Sequence, residues 1–508
     1  MVKSIKRCKM ESKLKVLFVA AEMAPLMKVG GLGDVAGELP LKLQSMGLDV
    51  CVVIPANKDM KAAASYKGDF AVNMGWRNET CIVREALNVP VPVYLVDNYH
   101  YFGRSGVYGH QDDAERFAFF CLAVYEMMRH FEMYPDVVHL NDWHTAPLAM
   151  LLREHEREQA RLSDIAVLYT IHNLEYQGIS GRNVFKLFCV KDVVFKVDKV
   201  EYFGCFNAMK AGIHYSDIIN GVSKTYARQM LTHECGFGLE GVLQTRNDAV
   251  RGVVNGINTA NWNPETDSAL YVNYNKESFR RKKENKIKLQ EDLGLEVSDV
   301  PLFAVVSRLV PNKGLDLILD AARAVLKGGG QFVLLGSGEK YYENTFLKLM
   351  ENRPDAVSVQ LEFNDEKARR IYAASDVFLM PSRFEPCGLS QLIAMRYGSI
   401  PFVHKTGGLA DTVIDEATNE GRGTGFAFEP YSAEALLTVM EKVLKCYRNQ
   451  EEWNRLVYRA MDRDSSWEEP TKEYISLYHE AVEENRKRKT KKGRAILEKK
   501  GEGRGCLA

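Results

Sequence analysis

The sequence lacks several features that would assign a class of function immediately. Its 508 residues include 67 Lys and Arg and 67 Asp and Glu, so the formal net charge is zero. A balanced charge does not favour nucleic acid as the partner of the whole molecule. The early apolar run at residues 14–21 is too short to span a membrane, and no other run approaches that length without charges. We therefore expect neither nucleic-acid nor membrane partners.

Paired cysteines and common catalytic signatures are also absent. Ten cysteines are scattered along the chain, with no C-x-x-C pair and no regular spacing. This pattern indicates reduced thiols in a cytoplasmic enzyme rather than a disulfide framework. The sequence contains no G-x-S-x-G elbow for a serine nucleophile and no H-E-x-x-H motif for a metal.

What the sequence does contain is a strand–helix alternation that occurs twice. An apolar run at Lys15–Ala21, helical spacing from Leu32 to Met46 and a second apolar run at Val50–Ile54 form a βαβ pattern, which predicts a parallel sheet. A stretch rich in Asn, Gly and Pro follows at Gly252–Pro264, and a new alternation starts at Pro301. The length also favours more than one domain. We predict an α/β protein with two doubly wound domains joined near residue 255.

The predicted domain bounds are residues 1–255 for an N-terminal Rossmann-like domain and 256–462 for a C-terminal one. A helix is expected within residues 463–482, packing back on the N-terminal domain. Residues 483–508 carry ten Lys and Arg but four Asp and Glu, which predicts a solvated, disordered basic tail.

Two glycine-rich stretches, Lys28–Asp34 and Thr406–Thr412, each open a predicted helix. Bare backbone N–H groups and the positive helix end at such a site favour an anion. Two sites in two α/β halves suggest one negatively charged ligand in a cleft between domains, which favours nucleotide-sugar chemistry. The alternative for the first stretch is a tight strand-to-helix turn with a solvated lysine, and spacing alone does not decide between them.

Arg308 and Lys313 lie in one predicted loop between a strand and a helix. Two cations in such a loop could neutralise a diphosphate without a metal. The alternative interpretation is a pair of surface cations. The matching position in the βαβ unit favours the functional interpretation.

Polar clusters follow two predicted strands at His139–His144 and Thr170–Asn173. Their spacing does not match a known metal motif, so we interpret them as hydrogen-bonding groups for sugar hydroxyls. The alternative is that the histidines are structural and that Trp143 belongs to the core.

Glu385 precedes a predicted helix that begins near Leu389, and the positive end of that helix should keep the carboxylate ionised. Such a carboxylate could hold sugar hydroxyls or support a developing oxocarbenium charge. A capping carboxylate is the alternative. Cys387 in the same segment could be a reactive thiol or a small packed residue.

Together these segments resemble those of bacterial glycogen synthases and plant starch synthases. The matching segments, in chain order, are Lys28–Val35, Asn141–His144, Tyr169–Gly178, Val254–Ile257, Ser307–Leu309, Lys313–Asp316, Pro381–Leu389 and Thr406–Val413. The resemblance implies a GT-B fold, with two Rossmann-like domains facing an interdomain cleft. It also implies transfer of glucose from ADP-glucose or UDP-glucose to the non-reducing end of an α-1,4-glucan, with retention of configuration.

The resemblance further implies the roles of individual residues. The implied catalytic residues are His172, Glu385, Asp142, Arg308 and Lys313. The implied donor-binding residues are Lys28, Gly30, Gly31, Asn173, Arg308, Lys313, Phe363, Glu385, Cys387, Gly388, Leu389, Ser390, Thr406, Gly407 and Gly408. The expected partners are a nucleoside diphosphate glucose and an α-1,4-glucan.

The implied chemistry needs neither a metal nor another cofactor. Arg308, Lys313 and Lys28 would stabilise the negative charge on the leaving diphosphate, as a metal ion does in other enzymes. Two alternatives are another GT-B sugar-nucleotide enzyme and a catalytically inactive glucan-binding protein. The joint presence of these three cations and Glu385 argues against the inactive protein.

Overall fold

The computed structural model describes residues 13–60, 62–155 and 161–502, with only the backbone for residues 163 and 492–502. The chain forms two compact units. The first comprises the chain up to Asn220, Met230–Arg251 and the chain from Thr471, and the second comprises Gly221–Gln229 and Gly252–Pro470.

The larger sheet belongs to the first unit. Its strands are β1 (Lys15–Val19), β2 (Asp49–Pro55), β3 (Ala64–Asn73), β4 (Asn78–Ala86), β5 (Val93–Asp97), β6 (Val137–Asn141) and β7 (Ala166–Ile171), followed after a smaller sheet by β11 (Ile218–Gly221) and β12 (Val250–Gly252). The smaller sheet contains β8 (Ile179–Ser180), β9 (Glu201–Tyr202) and β10 (Cys205–Asn207). The order in the larger sheet is β12-β11-β7-β6-β1-β2-β5-β4-β3.

The centre of the larger sheet is parallel. Its strands are apolar on both faces, as is typical of parallel strands, which are buried on both sides. Strands β6 and β7 are buried along their whole length, and β1 pairs in parallel with both β2 and β6. The predicted parallel arrangement is thus confirmed here. The edge formed by β3, β4 and β5 is antiparallel and was not predicted. Strand β3 is mostly exposed or half-buried, so it does not show the apolar run of a central strand.

The described α-helices before residue 250 follow in chain order. They are α1 (Gly31–Ser45), α2 (Tyr99–Phe102), α3 (Asp113–His130), α4 (Pro147–Glu154), α5 (Arg182–Leu187), α6 (Ala208–Tyr215), α7 (Lys224–Gln229) and α8 (Glu240–Gln244). Helix α1 contains Pro40 in its interior and continues to Ser45.

The second unit contains a six-stranded, fully parallel sheet. Its strands are β13 (Leu302–Val306), β14 (Gln331–Leu335), β15 (Val357–Gln360), β16 (Val377–Met380), β17 (Ile400–His404) and β18 (Phe426–Phe428), in the order β15-β14-β13-β16-β17-β18. Its helices are α9 (Lys282–Leu293), α10 (Leu315–Lys327), α11 (Lys340–Asn352), α12 (Asp365–Ala374), α13 (Ser390–Arg396), α14 (Gly407–Thr412), α15 (Ala433–Arg448) and α16 (Gln450–Asp462). Helix α7 also belongs to this unit, since Thr225 binds Asp411 and Gln229 binds Thr406.

Helix α17 spans Glu468–Glu502, so the prediction of a disordered tail from residue 483 is wrong up to residue 502. The helix from Thr471 belongs to the first unit. Asn485 is buried and donates a hydrogen bond to the Asp164 carbonyl at 2.9 Å, and Lys489 forms an ion pair with the Asp164 carboxylate. These contacts tie the start of the basic segment to the first unit. Residues 503–508 lie outside the described residues.

Candidate active site

The first glycine-rich stretch lies between β1 and helix α1 and surrounds a buried carboxylate. Glu22 accepts hydrogen bonds from the amides of Val29 and Gly30, the latter at 3.1 Å. A Cβ on Gly33 would lie 3.0 Å from the Glu22 Oε2 atom, so glycine is needed for this close approach. Burial raises the pKa of Glu22 above its usual value. The expectation of a bare amide is therefore wrong at Gly30.

The first turn of helix α1 is nevertheless suited to bind an anion. Gly31 opens the helix, and the preceding residue Gly30 supplies no side-chain cap. Lys28 lies at this end and forms an ion pair with Asp34 at 2.7 Å. A helix end with a nearby lysine can receive a phosphate.

Asp142, His172 and Asn173 come together at the ends of β6 and β7. Asp142 has a φ of 57°, an uncommon conformation for a residue other than glycine. Its Oδ1 atom accepts hydrogen bonds from the amides of His172 at 2.7 Å and Asn173 at 3.3 Å. Burial raises the pKa of Asp142 to about 7. The carboxylate is therefore held in place and titrates near neutrality.

The imidazole of His172 has a defined tautomer because of Asn141. The Asn141 side-chain amide donates to the Val19 carbonyl at 3.0 Å, so its Oδ1 atom is left to accept from His172 Nε2 at 2.9 Å. Nδ1 of His172 is then the unprotonated nitrogen. Burial lowers the pKa of His172 to about 3, so the ring is neutral at physiological pH.

Sequence reasoning missed Glu22 and Tyr108, and it included Asn141 only as a member of the polar cluster after β6. The Tyr108 hydroxyl donates to Glu22 Oε1 at 3.2 Å, and its pKa is raised far above the usual value by burial. Glu22 and Tyr108 are separated by 86 positions along the chain, so no local motif joins them. The turn glycines Gly106 and Gly109, both with positive φ, were the available signal for Tyr108.

His139 and Trp143 are structural, which was the alternative interpretation. His139 is buried, with its ring nitrogens 3.0 Å from the Tyr478 hydroxyl and 2.8 Å from the Thr170 hydroxyl. Trp143 packs against Gly178, where a Cβ would lie 2.2 Å from its ring.

In the second unit, the structure joins Lys313 and Glu385. The Lys313 ammonium lies 2.6 Å from Glu385 Oε2, and the Ser382 hydroxyl donates to the same oxygen at 3.1 Å. Helix α13 has no side-chain cap at Leu389, so Glu385 does not serve as its capping carboxylate. Gly314 has a φ of 71°, and a Cβ there would lie 2.1 Å from the Pro381 carbonyl oxygen. This contact draws the Lys313 loop against the Glu385 segment.

The second glycine-rich stretch packs directly on the Glu385 segment. A Cβ on Gly407 would lie 2.0 Å from the Glu385 carbonyl oxygen, and one on Gly408 would lie 2.0 Å from that of Cys387. The Gly407 amide donates to Gln229 and the Gly408 amide to the Glu385 carbonyl, each at 3.0 Å. The expectation of bare amides is therefore wrong here too, because these glycines serve close backbone packing.

The other predicted donor-binding residues occupy different environments. Cys387 is buried, and burial raises the pKa of its thiol to about 12, which favours a packed residue over a reactive one. Leu389 and Ser390 lie at the start of α13, and Gly388 has a φ of 71°. Arg308 is exposed, and Phe363 is 95% exposed.

Several buried polar atoms of the second unit have no hydrogen-bond partner among the described residues. Those near the predicted donor-binding segments are Asn255 Oδ1, Asn312 Oδ1 and Gln391 Oε1. Asn255 contacts Cys387, Asn312 precedes Lys313, and Gln391 follows Ser390. An unpaired buried polar group costs free energy, so these atoms favour a polar ligand near the same segments.

Two findings concern metal and membrane binding. Within residues 13–60, 62–155 and 161–502, no group of three or more His, Cys, Asp or Glu side chains is arranged to hold a metal ion. In the same part of the chain, no helix has the length and apolar character needed to cross a membrane.

The parallel sheets and the polar groups at their strand ends define a glycosyltransferase of the GT-B fold. Residues 15–245 match the family model for the starch synthase catalytic domain, and residues 288–461 match that for glycosyl transferases group 1. Together the two models cover both α/β halves.

Two similar proteins identify the family within the glycosyltransferases. The chain is 44% identical to a glycogen synthase of Desulforudis audaxviator, over 92% of this chain and 97% of that protein. It is 43% identical to a glycogen synthase of Moorella thermoacetica, over 94% of this chain and 99% of that protein. The chain belongs to the glycogen synthase and starch synthase family.

Solved structures agree with this assignment. The catalytic domain of starch synthase IV from Arabidopsis thaliana, bound to ADP and acarbose, matches with a TM-score of 0.86 and 34% identity, over 93% of this chain and 100% of that one. A sucrose-phosphate synthase from Thermosynechococcus elongatus matches with a TM-score of 0.57 and 17% identity, over 92% of this chain and 98% of that one, and shows the shared fold alone.

Proposed function

We propose that the protein transfers glucose from ADP-glucose to the non-reducing end of an α-1,4-glucan, with retention of configuration. Glycogen synthases that match over nearly their whole length support the reaction. The ADP and acarbose in the related starch synthase IV support an adenine nucleotide and an oligosaccharide as ligands. The free cysteines among the described residues support a cytoplasmic location.

The observation that carries the proposal is the ion pair between Lys313 and Glu385 at 2.6 Å. A carboxylate that holds a lysine in a fixed position prepares it to receive an anion, because little reorganisation remains at the moment of reaction. We assign Lys313 and Arg308 to the donor diphosphate and Glu385 to the sugar hydroxyls. Donor binding would then compete with Glu385 for the Lys313 ammonium.

The remaining residues of the second unit would surround the rest of the donor. We assign Phe363 to the base because its exposed ring offers a stacking surface. Leu389 and Ser390 would lie near the ribose and phosphate. The other residues assigned to this pocket are Cys387, Gly388, Thr406, Gly407 and Gly408.

The first unit would supply uncharged and weakly acidic groups to the sugar. We assign Asp142, His172 and Asn173 to the glucose and the anomeric carbon. Lys28, Gly30 and Gly31 would meet the phosphates and the sugar. The amide of Gly30 already donates to Glu22, so we assign to the donor the uncapped turn that begins at Gly31.

The proposed chemistry needs no protein nucleophile. The bond between the anomeric carbon and the phosphate oxygen breaks, and both electrons leave with the diphosphate. The 4-hydroxyl of the glucan forms the new bond on the same face, and its proton passes to the leaving phosphate. Lys313, Arg308 and Lys28 would stabilise the charge that accumulates on the diphosphate.

The test is transfer of radiolabelled glucose to glycogen from ADP-glucose and from UDP-glucose, measured side by side in excess chelator. We expect a higher kcat/KM with ADP-glucose and no loss of activity with the chelator. A higher kcat/KM with UDP-glucose would contradict the proposed donor. Activity that the chelator abolishes and a divalent ion restores would contradict the metal-free chemistry.

A further inference from the structure

Helix α7 is fixed on the second unit by polar side chains. The Ser223 hydroxyl, just before the helix, donates to the Pro386 carbonyl at 2.6 Å. The amide and the hydroxyl of Thr225 donate to the Asp411 carboxylate at 2.7 Å and 2.6 Å. A helix of six residues is marginal by itself, so these contacts set where it lies. The partner residues belong to segments that carry proposed donor-binding groups.

The last residue of this helix, Gln229, binds the second glycine-rich stretch with both ends of its side-chain amide. Its Oε1 atom accepts from the Gly407 amide at 3.0 Å, and its Nε2 atom donates to the Thr406 hydroxyl at 3.2 Å. Because a backbone N–H can only donate, the oxygen of the Gln229 side chain must face Gly407. The two hydrogen bonds therefore hold this side chain in one orientation across two successive residues.

Thr406 and Gly407 form the start of helix α14. Thr406 is the N-cap residue, and the described residues show no capping hydrogen bond from its side chain. An N-cap side chain ordinarily accepts from an amide of the first turn. Gln229 provides an acceptor to the Gly407 amide from outside the helix, and this acceptor carries no charge. The start of α14 is therefore set by a residue of α7.

Gly407 also holds the main chain of Glu385. Gly407 has a φ of 43°, and a Cβ there would lie 2.0 Å from the Glu385 carbonyl oxygen. The same carbonyl accepts from the Gly408 amide at 3.0 Å. A shift of Gly407 would therefore shift Glu385. Because Glu385 Oε2 lies 2.6 Å from the Lys313 ammonium, the shift would reach that ion pair as well.

The apolar core provides a separate anchor for helix α14. Leu409 and Val413 form a small buried cluster with Val403 of strand β17. This cluster holds the middle and the end of the helix, whereas the half-buried Gln229 acts on its start. We therefore expect Gln229 to affect the position of Glu385 more than the stability of the fold.

We infer that Gln229 is a positioning residue for the transfer of glucose. Its hydrogen bonds fix Gly407, and Gly407 fixes the main chain of Glu385. Glu385 then presents its carboxylate to the sugar hydroxyls and to Lys313. The inference rests on the proposed function, in which Glu385 and Lys313 meet the donor. Gln229 acts through these residues and not by contact with the sugar.

The test replaces Gln229 in two ways. Gln229→Met keeps the approximate length of the side chain and removes both hydrogen bonds. Gln229→Glu keeps one oxygen that accepts from the Gly407 amide and provides a second oxygen to which the Thr406 hydroxyl can donate. The two variants separate the hydrogen bonds from the size of the side chain.

The matched control is Gln290→Met in the same unit. Gln290 is fully buried in helix α9, and its amide donates to the Ser298 carbonyl at 3.0 Å and to the Gln331 side chain at 2.7 Å. Gln331 begins strand β14, whereas the Glu385 segment follows the carboxyl end of strand β16 in the same parallel sheet. The control therefore removes hydrogen bonds at the opposite edge of the sheet.

The wild type and the three variants are compared by kcat, by the KM for glycogen, by the Kd for ADP from titration calorimetry and by melting temperature. We expect Gln229→Met to lower kcat about 10- to 100-fold, because the sugar and the leaving diphosphate are no longer aligned. The Kd for ADP should rise about three- to tenfold as Lys313 moves with Glu385. The KM for glycogen should not change.

Gln229→Glu should recover most of the lost kcat and of the lost ADP affinity. Gln290→Met should keep the kcat of the wild type. It should lower the melting temperature at least as much as Gln229→Met does, because it leaves buried polar groups unpaired. A loss of kcat at Gln229 that exceeds what the melting temperatures account for separates positioning from a structural role.

A wild-type kcat in Gln229→Met, with or without a lower melting temperature, would overturn the inference. An equally large loss of kcat in Gln229→Glu would also overturn it, since the loss would then not follow the two hydrogen bonds.

The proposed function fails separately. If the wild type transfers no glucose while the Kd for ADP rises in Gln229→Met and recovers in Gln229→Glu, the reaction is wrong and the positioning of Lys313 and Glu385 stands. If the wild type transfers glucose and neither kcat nor the Kd for ADP depends on Gln229, the inference alone is wrong.

Discussion

The two units hold their polar groups in opposite electrostatic states. In the first unit, burial brings Asp142 to a pKa of about 7 and keeps His172 neutral. In the second unit, Lys313 and Glu385 form a direct ion pair at 2.6 Å. Neutral hydrogen-bonding groups suit a sugar, and fixed charges suit a diphosphate. Parallel α/β sheets can therefore provide a surface for a sugar and a surface for a diphosphate, depending on the residues at their strand ends.

Replacement of Lys313 tests the ion pair of the second unit and should have the largest effect on kcat/KM. We expect Lys313→Ala to lower kcat/KM about 100- to 1,000-fold, because a fixed positive charge at the leaving group is lost. Initial rates of glucose transfer to glycogen would measure the loss. The matched control is Lys340→Ala, since Lys340 forms an equally short ion pair with Glu343 at 2.6 Å.

The control should keep its activity within about twofold, because Lys340 has an 85% exposed side chain and is not assigned to the donor. Both variants should show the circular dichroism of the wild type. Near-normal glucan elongation by Lys313→Ala would remove the assignment of this lysine to the diphosphate.

Replacement of Asp142 tests the polar groups of the first unit and should have the next largest effect on kcat/KM. The carboxyl group with a pKa of about 7 ionises as pH rises, and its anion supports the positive charge that develops on the sugar. We therefore expect wild-type kcat/KM to increase between pH 6 and pH 8. Asp142→Asn should lower kcat/KM about 100-fold and remove this increase.

The control for the pH profile is Asp355→Asn, which alters an exposed carboxylate paired with Arg353. Its profile should match that of the wild type. A profile of Asp142→Asn that still rises between pH 6 and pH 8 would assign the titration to another group.

The smallest effect concerns stability and a third buried group of the first unit. Burial lowers the pKa of His144 to about 3, and its Nδ1 atom has no hydrogen-bond partner among the described residues. Below pH 6.5 the unfolded chain binds a proton at this histidine that the folded chain does not bind. The free energy of unfolding should then fall by about 1.4 kcal/mol per pH unit from this group as pH decreases.

In His144→Phe, the free energy of unfolding should depend less steeply on pH between pH 6.5 and pH 5, as measured by urea denaturation at each pH. His233→Phe is the control because that histidine side chain is 93% exposed. An unchanged slope in His144→Phe would show that the ring is protonated in the folded protein.

The parallel strands could be predicted because continuous apolar runs have few other uses. Strand β1, at Lys15–Val19, lies within the predicted apolar run Lys15–Ala21. The antiparallel strands β3 and β4 and the short strands β8 to β10 were missed. Their residues are partly exposed or too few to produce a clear period.

The candidate site was predictable where its residues directly follow buried parallel strands. The polar clusters after β6 and β7 did come together, as Asp142 and His172 show. Glu22 and Tyr108 could not be joined from the sequence because only the folded chain brings them within 3.2 Å. The amides of Gly30, Gly407 and Gly408 bind protein groups that no local pattern in the sequence reveals.

The return of the C-terminal helix to the first unit has a consequence for synthesis on the ribosome. Tyr474 and Tyr478 are fully buried and bind Asn220 and His139, so the interior of the first unit includes residues that follow the second unit along the chain. The part of the first unit that leaves the exit tunnel first must wait, unfinished, until the second unit and helix α17 have also been translated. A transcript that stops before helix α17 would leave this interior open.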